Sequence, residues 1–242
     1  MIFSGVGNAF NTLYGNTSAY LKKHNEMILI DCGSSVFKSM KEQNAFVELE
    51  RLTIIITHTH PDHVGSLGDL IFYAYFVCHI RPTIIFPNQA LMTDFLRVMG
   101  VEPYQYALNA QDETILTEGA FGGFSVKFYL SQHVDAIPSY GLKLGFGSDT
   151  IYYSGDALTI PVDILDAFEK NHIQRIYQDV SCSTITNNVH LTLNQLNAII
   201  PQAHRHRIFC MHYESDACVI EIKKCGYQTL RPYSAHDSAS SL

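Results

Sequence analysis

The sequence predicts an α/β fold, a four-layer αββα sandwich in which two sheets lie between outer helices. Three observations predict it. Apolar, β-branched runs alternate with helical patterns along the chain. Both halves hold runs spaced as antiparallel hairpins that then give way to strand–helix alternation. Of the 242 residues, 47% are hydrophobic, which supports a large core. The length suits one or at most two domains, and no internal linker, repeat or low-complexity block interrupts it. One domain over residues 1–233 is expected, with a small, polar, disordered tail at 234–242.

Taken in order, Tyr20-Leu21-Lys22 and the run from Met27 to Asp31 read as a hairpin turning at His24-Asn25. Thr53-Ile54-Ile55-Ile56 reads as a strand. Ser34 to Lys41 and Val64 to Ile80 read as helices, and Pro82 breaks the chain before a strand at Thr83 to Phe86. Asn88 to Met99 reads as a helix with Asn88 as its N-cap and Gly100 just past its end. Strands are expected at Phe124 to Leu130, Tyr140 to Leu144, Ile151 to Tyr153, Arg175 to Asp179 and Arg207 to Met211. Helices are expected at Pro161 to Glu169 and Leu193 to Ile200.

Composition excludes several classes. No apolar run approaches the ~20 residues that span a bilayer, so no membrane partner is expected. The start, Met1 to Gly7, has neither the basic residues nor the apolar stretch of a secretory signal. The six cysteines (Cys32, Cys78, Cys182, Cys210, Cys218, Cys225) form no C-x-x-C pair and are expected as reduced thiols in a cytoplasmic protein. Net charge is −7 with 16 Lys+Arg, and no dense basic stripe is present for neutralising phosphates. The local exception, Ala203-His204-Arg205-His206-Arg207, falls between a helix and a strand and reads as a solvated turn.

The chemistry is concentrated in Thr57-His58-Thr59-His60-Pro61-Asp62-His63. Three imidazoles and a carboxylate follow directly on an apolar strand, and both are ligands of choice for zinc and similar first-row metals. Further candidates sit at other strand ends: Asp31 after Leu29-Ile30, His133 after Phe128-Tyr129-Leu130, Asp156 in Tyr153-Ser154-Gly155-Asp156, and His212 after Ile208 to Met211.

These five motifs resemble, in order, those of the metallo-β-lactamase superfamily, whose fold is the αββα sandwich. The resemblance implies that His58, His60 and His133 hold one metal and that Asp62, His63 and His212 hold a second. Asp156 would bridge them, and Asp31 would steady a ligand histidine through its other ring nitrogen. Two cations about 3.5–4 Å apart can clamp a phosphodiester and generate a hydroxide near neutral pH. Asp62 would orient that hydroxide or take its proton. The ions would be zinc, with manganese or iron also suiting the ligands.

His133-Val134-Asp135-Ala136-Ile137-Pro138-Ser139-Tyr140-Gly141 is similar to the H-x4-P-S-Y-G segment of the RNase Z-like branch. The opening Gly5-Val6-Gly7 resembles that branch's glycine turn, which lets the backbone approach the site. His190-Leu191-Thr192 resembles its H-S-T element, with Leu in place of Ser. This implies that His190 is a general acid or phosphate contact steered by Asp179. A bare capping role for the segment is the alternative. Only 23 positions separate His133 from Asp156, too few for the basic arm with which tRNA-processing members hold their substrate.

Arm-less relatives of the branch include the anti-Pycsar cyclic nucleotide phosphodiesterases. The resemblance therefore implies hydrolysis of 3′,5′-cyclic mononucleotides such as cCMP, cUMP, cAMP and cGMP in the host cytoplasm, with no stable nucleic-acid partner. An arm-less nuclease acting on tRNA 3′ ends or short RNA is the alternative, and a non-catalytic nucleotide sponge is a third reading. A homodimer is also implied, through the helix carrying Leu67, Leu70, Ile71, Tyr73, Ala74, Tyr75 and Phe76, whose apolar residues cover more than one face. Among aromatic residues near the motifs, Phe10, Tyr73 and Tyr140 are expected to be structural rather than base-contacting.

Overall fold

Two mixed sheets carry the chain, each switching from antiparallel to parallel pairing along its length. The computed structural model describes residues 1–233; the tail expected at 234–242 lies outside the described residues. Chain contacts divide it into two units, Met1–Asp112 with the segment from Arg231, and Glu113–Leu230.

In the first unit, strands β1 (Ile2–Gly5), β2 (Ser18–Lys23), β3 (Glu26–Ile30), β4 (Arg51–Ile55), β5 (Thr83–Ile85) and β6 (Ala107–Asn109) lie side by side in sequence order. The first three pair antiparallel and the rest parallel. The β2–β3 hairpin turns at His24, as expected, with His24 in the left-handed region. Helices α1 (Val36–Glu42), α2 (Pro61–Val64), α3 (Leu67–Phe72) and α4 (Gln89–Val98) fill the connections. Asn88 caps α4 by accepting from the Leu91 N–H at 3.0 Å.

The helix expected at Val64 to Ile80 is not continuous. Pro61 starts α2 one turn earlier, the chain restarts at Leu67 beyond Gly65-Ser66, and it ends in a π-turn over Tyr73–Val77. Leu67, Leu70, Ile71 and Ala74 are buried, while Phe76 and Val77 remain exposed. Tyr73 packs on Phe37 and Phe46, as a structural aromatic should. Phe10 does not: it is 91% exposed.

In the second unit the order is β7 (Glu113–Ile115), β8 (Ser125–Ser131), β9 (Ser139–Phe146), β10 (Asp149–Tyr153), β11 (Arg175–Asp179), β12 (Ile208–Met211) and β13 (Gln228–Thr229). Strands β7 to β10 pair antiparallel and β10 to β13 parallel. Helices α5 (Val162–Glu169), α6 (Leu193–Ile199) and α7 (Asp216–Lys224) connect the parallel strands. Thr192 caps α6 in a reciprocal capping box with Gln195. No helix among the described residues is long and apolar enough to cross a membrane.

Two expectations are corrected in this unit. Cys182 and Cys218 form a disulfide with Cα atoms 5.6 Å apart, so not every cysteine is a free thiol. Their 36-residue separation has no short-motif signature, and proximity arises only from the fold. The Arg205 and Arg207 turn is not simply solvated. Arg205 donates to the carbonyls of Asn197, Ile200 and Cys225, and Arg207 donates to those of Phe168, Ile173 and Gln174. Both guanidiniums lock the backbone in place.

Candidate metal centre

In each unit most site residues stand at the carboxyl ends of neighbouring parallel strands; His133, after the antiparallel strand β8, and His190, in the loop before α6, are the exceptions. Ligands gather at that edge in open α/β sheets because the strand-to-helix loops open there. In the first unit, Asp31 follows β3 and the run from Thr57 to His63 follows β4. In the second, Asp156 follows β10, Asp179 ends β11 and His212 follows β12.

Asp31 anchors the first group and is wholly buried. Its Oδ1 accepts the Thr57 N–H at 2.8 Å, and its Oδ2 accepts from the Thr57 hydroxyl and from His63 Nδ1, each at 2.8 Å. The carboxylate thus serves both the loop amide and the histidine. Burial pushes the Asp31 carboxyl above its ordinary range, against the opposing pull of His63 and Thr57.

These contacts set tautomers. His63 donates from Nδ1, which leaves Nε2 as its acceptor nitrogen. The Thr57 hydroxyl proton points at Asp31, so its oxygen, 3.1 Å from His58 Nδ1, accepts there and leaves His58 Nε2 as an acceptor. That Nε2 lies 3.0 Å from His60 Nδ1, with the rings 77° apart. Asp62 Oδ2 lies 3.5 Å from His63 Nε2.

Local chemistry places this turn. Pro61 at the first helical position presets the start of α2, which puts Asp62 and His63 in its opening turn. The chain at Cys32–Ser34 runs tight against it: the Cys32 N–H donates to the His63 carbonyl at 2.7 Å, and the Ser34 N–H to that of Pro61 at 3.2 Å. Only glycine fits between, since a Cβ at Gly33 would lie 1.9 Å from the Asp62 carbonyl oxygen. Gly5 and Gly7 allow a different approach. A Cβ at Gly5 would lie 2.2 Å from the Asn16 carbonyl oxygen, and one at Gly7 2.8 and 2.9 Å from those of Asn11 and Gly15, so they serve the facing chain.

The second group centres on two carboxylates. Asp156 presents Oδ1 to His212 Nε2 at 3.5 Å and Oδ2 to His133 Nε2 at 3.7 Å. Each of its oxygens therefore faces a different imidazole. His133 is held from behind by Nδ1–H donation to the Val189 carbonyl at 3.1 Å. His212 turns its Nδ1 to Asp179 Oδ1 at 3.3 Å. Asp179 Oδ2 accepts from His190 Nδ1 at 2.6 Å and from the Ala157 N–H at 3.2 Å.

Asp179 thus orients two histidines, one more than its sequence position implies. Burial raises its pKa, but the charges and hydrogen bonds of His190 and His212 outweigh that and hold it below the usual carboxylate value. For His190, burial favours the neutral ring, yet the Asp179 charge and hydrogen bond prevail and raise its pKa. Its side chain is 23% exposed, so a substrate can reach it.

The P-S-Y-G segment has a mechanical reading. The Ser139 hydroxyl donates to the Asp156 carbonyl at 3.1 Å, and Gly141 makes room for the Tyr152 ring, whose hydroxyl would sit 2.1 Å from a Cβ there. Sequence reasoning missed Thr57, the Val189 carbonyl and the second role of Asp179. Thr57 could have been found beside His58; a main-chain carbonyl has no sequence signature.

The donor set fits a divalent cation. His63, His133 and His212 are each oriented through Nδ1, so that Nε2 is presented, as metal-ligating imidazoles are. In the second unit, donor atoms of Asp156, Asp179, His190 and His212 lie within 4.8 Å of one another. Asp179 is already committed to histidine nitrogens, which makes it an orienting group rather than a ligand. Cys210, buried in β12 two residues from His212, has its thiol pKa pushed up by burial and packs as a core residue.

Comparison with known proteins agrees. The structure is similar to the metallo-β-lactamase fold protein YhfI from Bacillus subtilis, with TM-score 0.72 and 17% identity over 96% of each chain. It is also similar to the short form of human tRNase Z, with TM-score 0.66 and 19% identity over 95% of each chain. These likenesses establish the metallo-β-lactamase fold that the motifs predict. A relative from Bacillus phage BSP38, described as anti-Pycsar protein Apyc1, is 29% identical over 235 residues, covering 86% of each chain. One from Paenibacillus harenae with the same description is 27% identical over 222 residues, covering 86% of this chain and 87% of its own. The family model for anti-Pycsar protein Apyc1 matches residues 1–231. With that match covering nearly all of the described residues, the chain belongs to the anti-Pycsar Apyc1 family.

Proposed function

We propose that this protein is a metal-dependent phosphodiesterase that opens 3′,5′-cyclic mononucleotides and so counters Pycsar signalling. The observation that carries the reading is the arrangement around Asp156: two imidazoles face its two oxygens, and His190 is held alongside by Asp179. On this reading His58, His60 and His133 would hold one cation and Asp62, His63 and His212 a second, with Asp156 serving both. Zinc suits these ligands, as does manganese.

Bound divalent ions would supply Lewis acidity at the phosphoryl group and lower the pKa of water. The chain's own groups do the rest. Asp62 orients the attacking water and receives its proton on a carboxylate oxygen. His190 already donates Nδ1–H to Asp179, so its Nε2 proton goes to the departing ribose oxygen as the P–O ester bond breaks. Asp179 supports the imidazolium that this requires.

The substrate class follows from what surrounds the site. The 22 residues between His133 and Asp156 are taken up largely by the β9–β10 hairpin, which leaves no room for an arm. Arg205 and Arg207 are bonded to backbone carbonyls and offer no platform for a folded RNA. A small cyclic phosphodiester needs neither. The enzyme would act in the cytoplasm, where the signal is made, as a homodimer joined through the helix that ends in exposed Phe76 and Val77.

The test is conversion of cCMP, cUMP, cAMP and cGMP to monophosphates by the metal-loaded protein. Turnover that disappears in the Asp62→Ala, His63→Ala double variant supports the reading. A metal-loaded protein that leaves all four intact overturns it.

A further inference from the structure

The Cys182–Cys218 disulfide lies outside the metal-binding groups, yet it bears on them. Residues 182–190 form a loop whose neck is closed by backbone bonds. The Ser181 N–H donates to the Leu191 carbonyl at 2.9 Å, and the Leu193 N–H returns to the Ser181 carbonyl at 2.9 Å. The far end of the loop supplies the site: the Val189 carbonyl holds His133, His190 reaches Asp179, and Asn188 Oδ1 accepts the His190 N–H at 3.2 Å.

The first part of the loop is weakly held. Thr184 to Asn187 are exposed, Ile185 at 75%, and the Ser183 and Ile185 N–H groups donate to the Ser181 and Ser183 hydroxyls within the loop itself. What ties this part down is covalent. Cys182 is bonded to Cys218, a buried residue in the first turn of α7, and the Ser181 hydroxyl donates to Glu214, two residues beyond His212. One strap thus joins the loop that positions His190 and His133 to the segment that carries His212.

We propose that the Cys182–Cys218 disulfide is a positioning element for the candidate site, and that its reduction by a cellular monothiol loosens residues 182–190 and slows turnover. Cys182 is half-buried while Cys218 is buried, so the attack is assigned to the Cys182 side. An external thiolate attacks Cys182 Sγ, the S–S bond breaks, and Cys218 leaves as a thiolate and is protonated. A second external thiolate then attacks the external sulfur of the mixed disulfide and releases Cys182. Two external thiols are oxidised to one disulfide, and two protein thiols form. The effect on turnover rests on the phosphodiesterase reading; the effect on loop order does not.

The experiment compares oxidised and phosphine-reduced metal-loaded wild type with Cys182→Ser, in amide exchange and in cCMP kinetics. A phosphine is used because it does not strip zinc as dithiols do, and it takes up water oxygen as the two thiols form. Reduction should speed exchange across 182–191 by on the order of 10-fold. It should lower kcat by roughly 3- to 10-fold with little change in KM, since the misplaced group acts in the chemical step. Cys182→Ser should show the lower kcat without reductant and no response to it. Exchange unchanged by reduction would overturn the proposal, as would six free thiols in the oxidised protein or a fall in thermal midpoint with kcat intact. A loop that loosens in a protein inert toward every cyclic nucleotide would support the strap and sink the phosphodiesterase reading instead.

Discussion

Asp179 shows how one buried side chain can serve two others. Its oxygens meet His190 and His212 separately, so replacing it should disturb a proposed ligand and a proposed acid together. Asp179→Asn is expected to weaken metal binding by about 10- to 100-fold, as loss of an outer orienting group does. His190→Ala should leave metal affinity intact and lower kcat by about 10²- to 10⁴-fold, the usual share of a general acid. Competition with a chromophoric chelator and steady-state kinetics on both variants separate the two effects. Equal metal loss in both would move His190 into the ligand set. At this scale the sequence was informative about residue types: the imidazoles and carboxylates of the motifs are those gathered at the strand ends. It was silent on Val189, because any residue could have supplied that carbonyl. Backbone strain was equally hidden. Asp31 and His212 adopt left-handed conformations, φ 60° and 68°, each costing about 1–3 kcal/mol that the surrounding contacts must hold in place.

At the scale of elements, the site depends on tight joints between loops. Gly33 lies against the carbonyl of Asp62, so Gly33→Ala must push α2 or the Cys32–Ser34 segment away. A destabilisation of about 1–3 kcal/mol in chemical denaturation is expected, as for other overpacked sites, together with weaker metal binding. A variant as stable and as metal-avid as wild type would show that α2 is not fixed by this contact. The 36-residue separation of Cys182 and Cys218 corresponds to about 3–4 kcal/mol in the chain-entropy description. Long elements with caps or clear patterning were legible: the His24 hairpin, α4 behind Asn88, and β11. Strands β1, β6, β7 and β13 were not, since two to four residues show no period and depend on sheet neighbours. Helix α7 was missed although its signals were present, with Ser215 capping Cys218 and lysines in its last turn. The disulfide illegible from spacing follows from the same cause: α7 had to be placed before Cys218 could be.

For the whole molecule, the two sheets follow one plan, antiparallel strands first and parallel strands after, with most of the metal-binding residue types at the carboxyl ends of the parallel part and His133 after antiparallel β8. That plan was readable because hairpin spacing and strand–helix alternation recur in both halves. The net charge of −7 and the commitment of Arg205 and Arg207 to internal carbonyls are what the proposal of a small substrate rests on at this scale. The central claim is therefore a choice of substrate by a retained chemistry. It is tested most directly by offering the metal-loaded protein a 3′,5′-cyclic mononucleotide and a precursor tRNA in the same tube and following both products over time. The account predicts rapid opening of the cyclic nucleotide while the tRNA stays intact. Trimmed tRNA beside untouched cyclic nucleotide would contradict it and identify a processing nuclease that has dispensed with its arm.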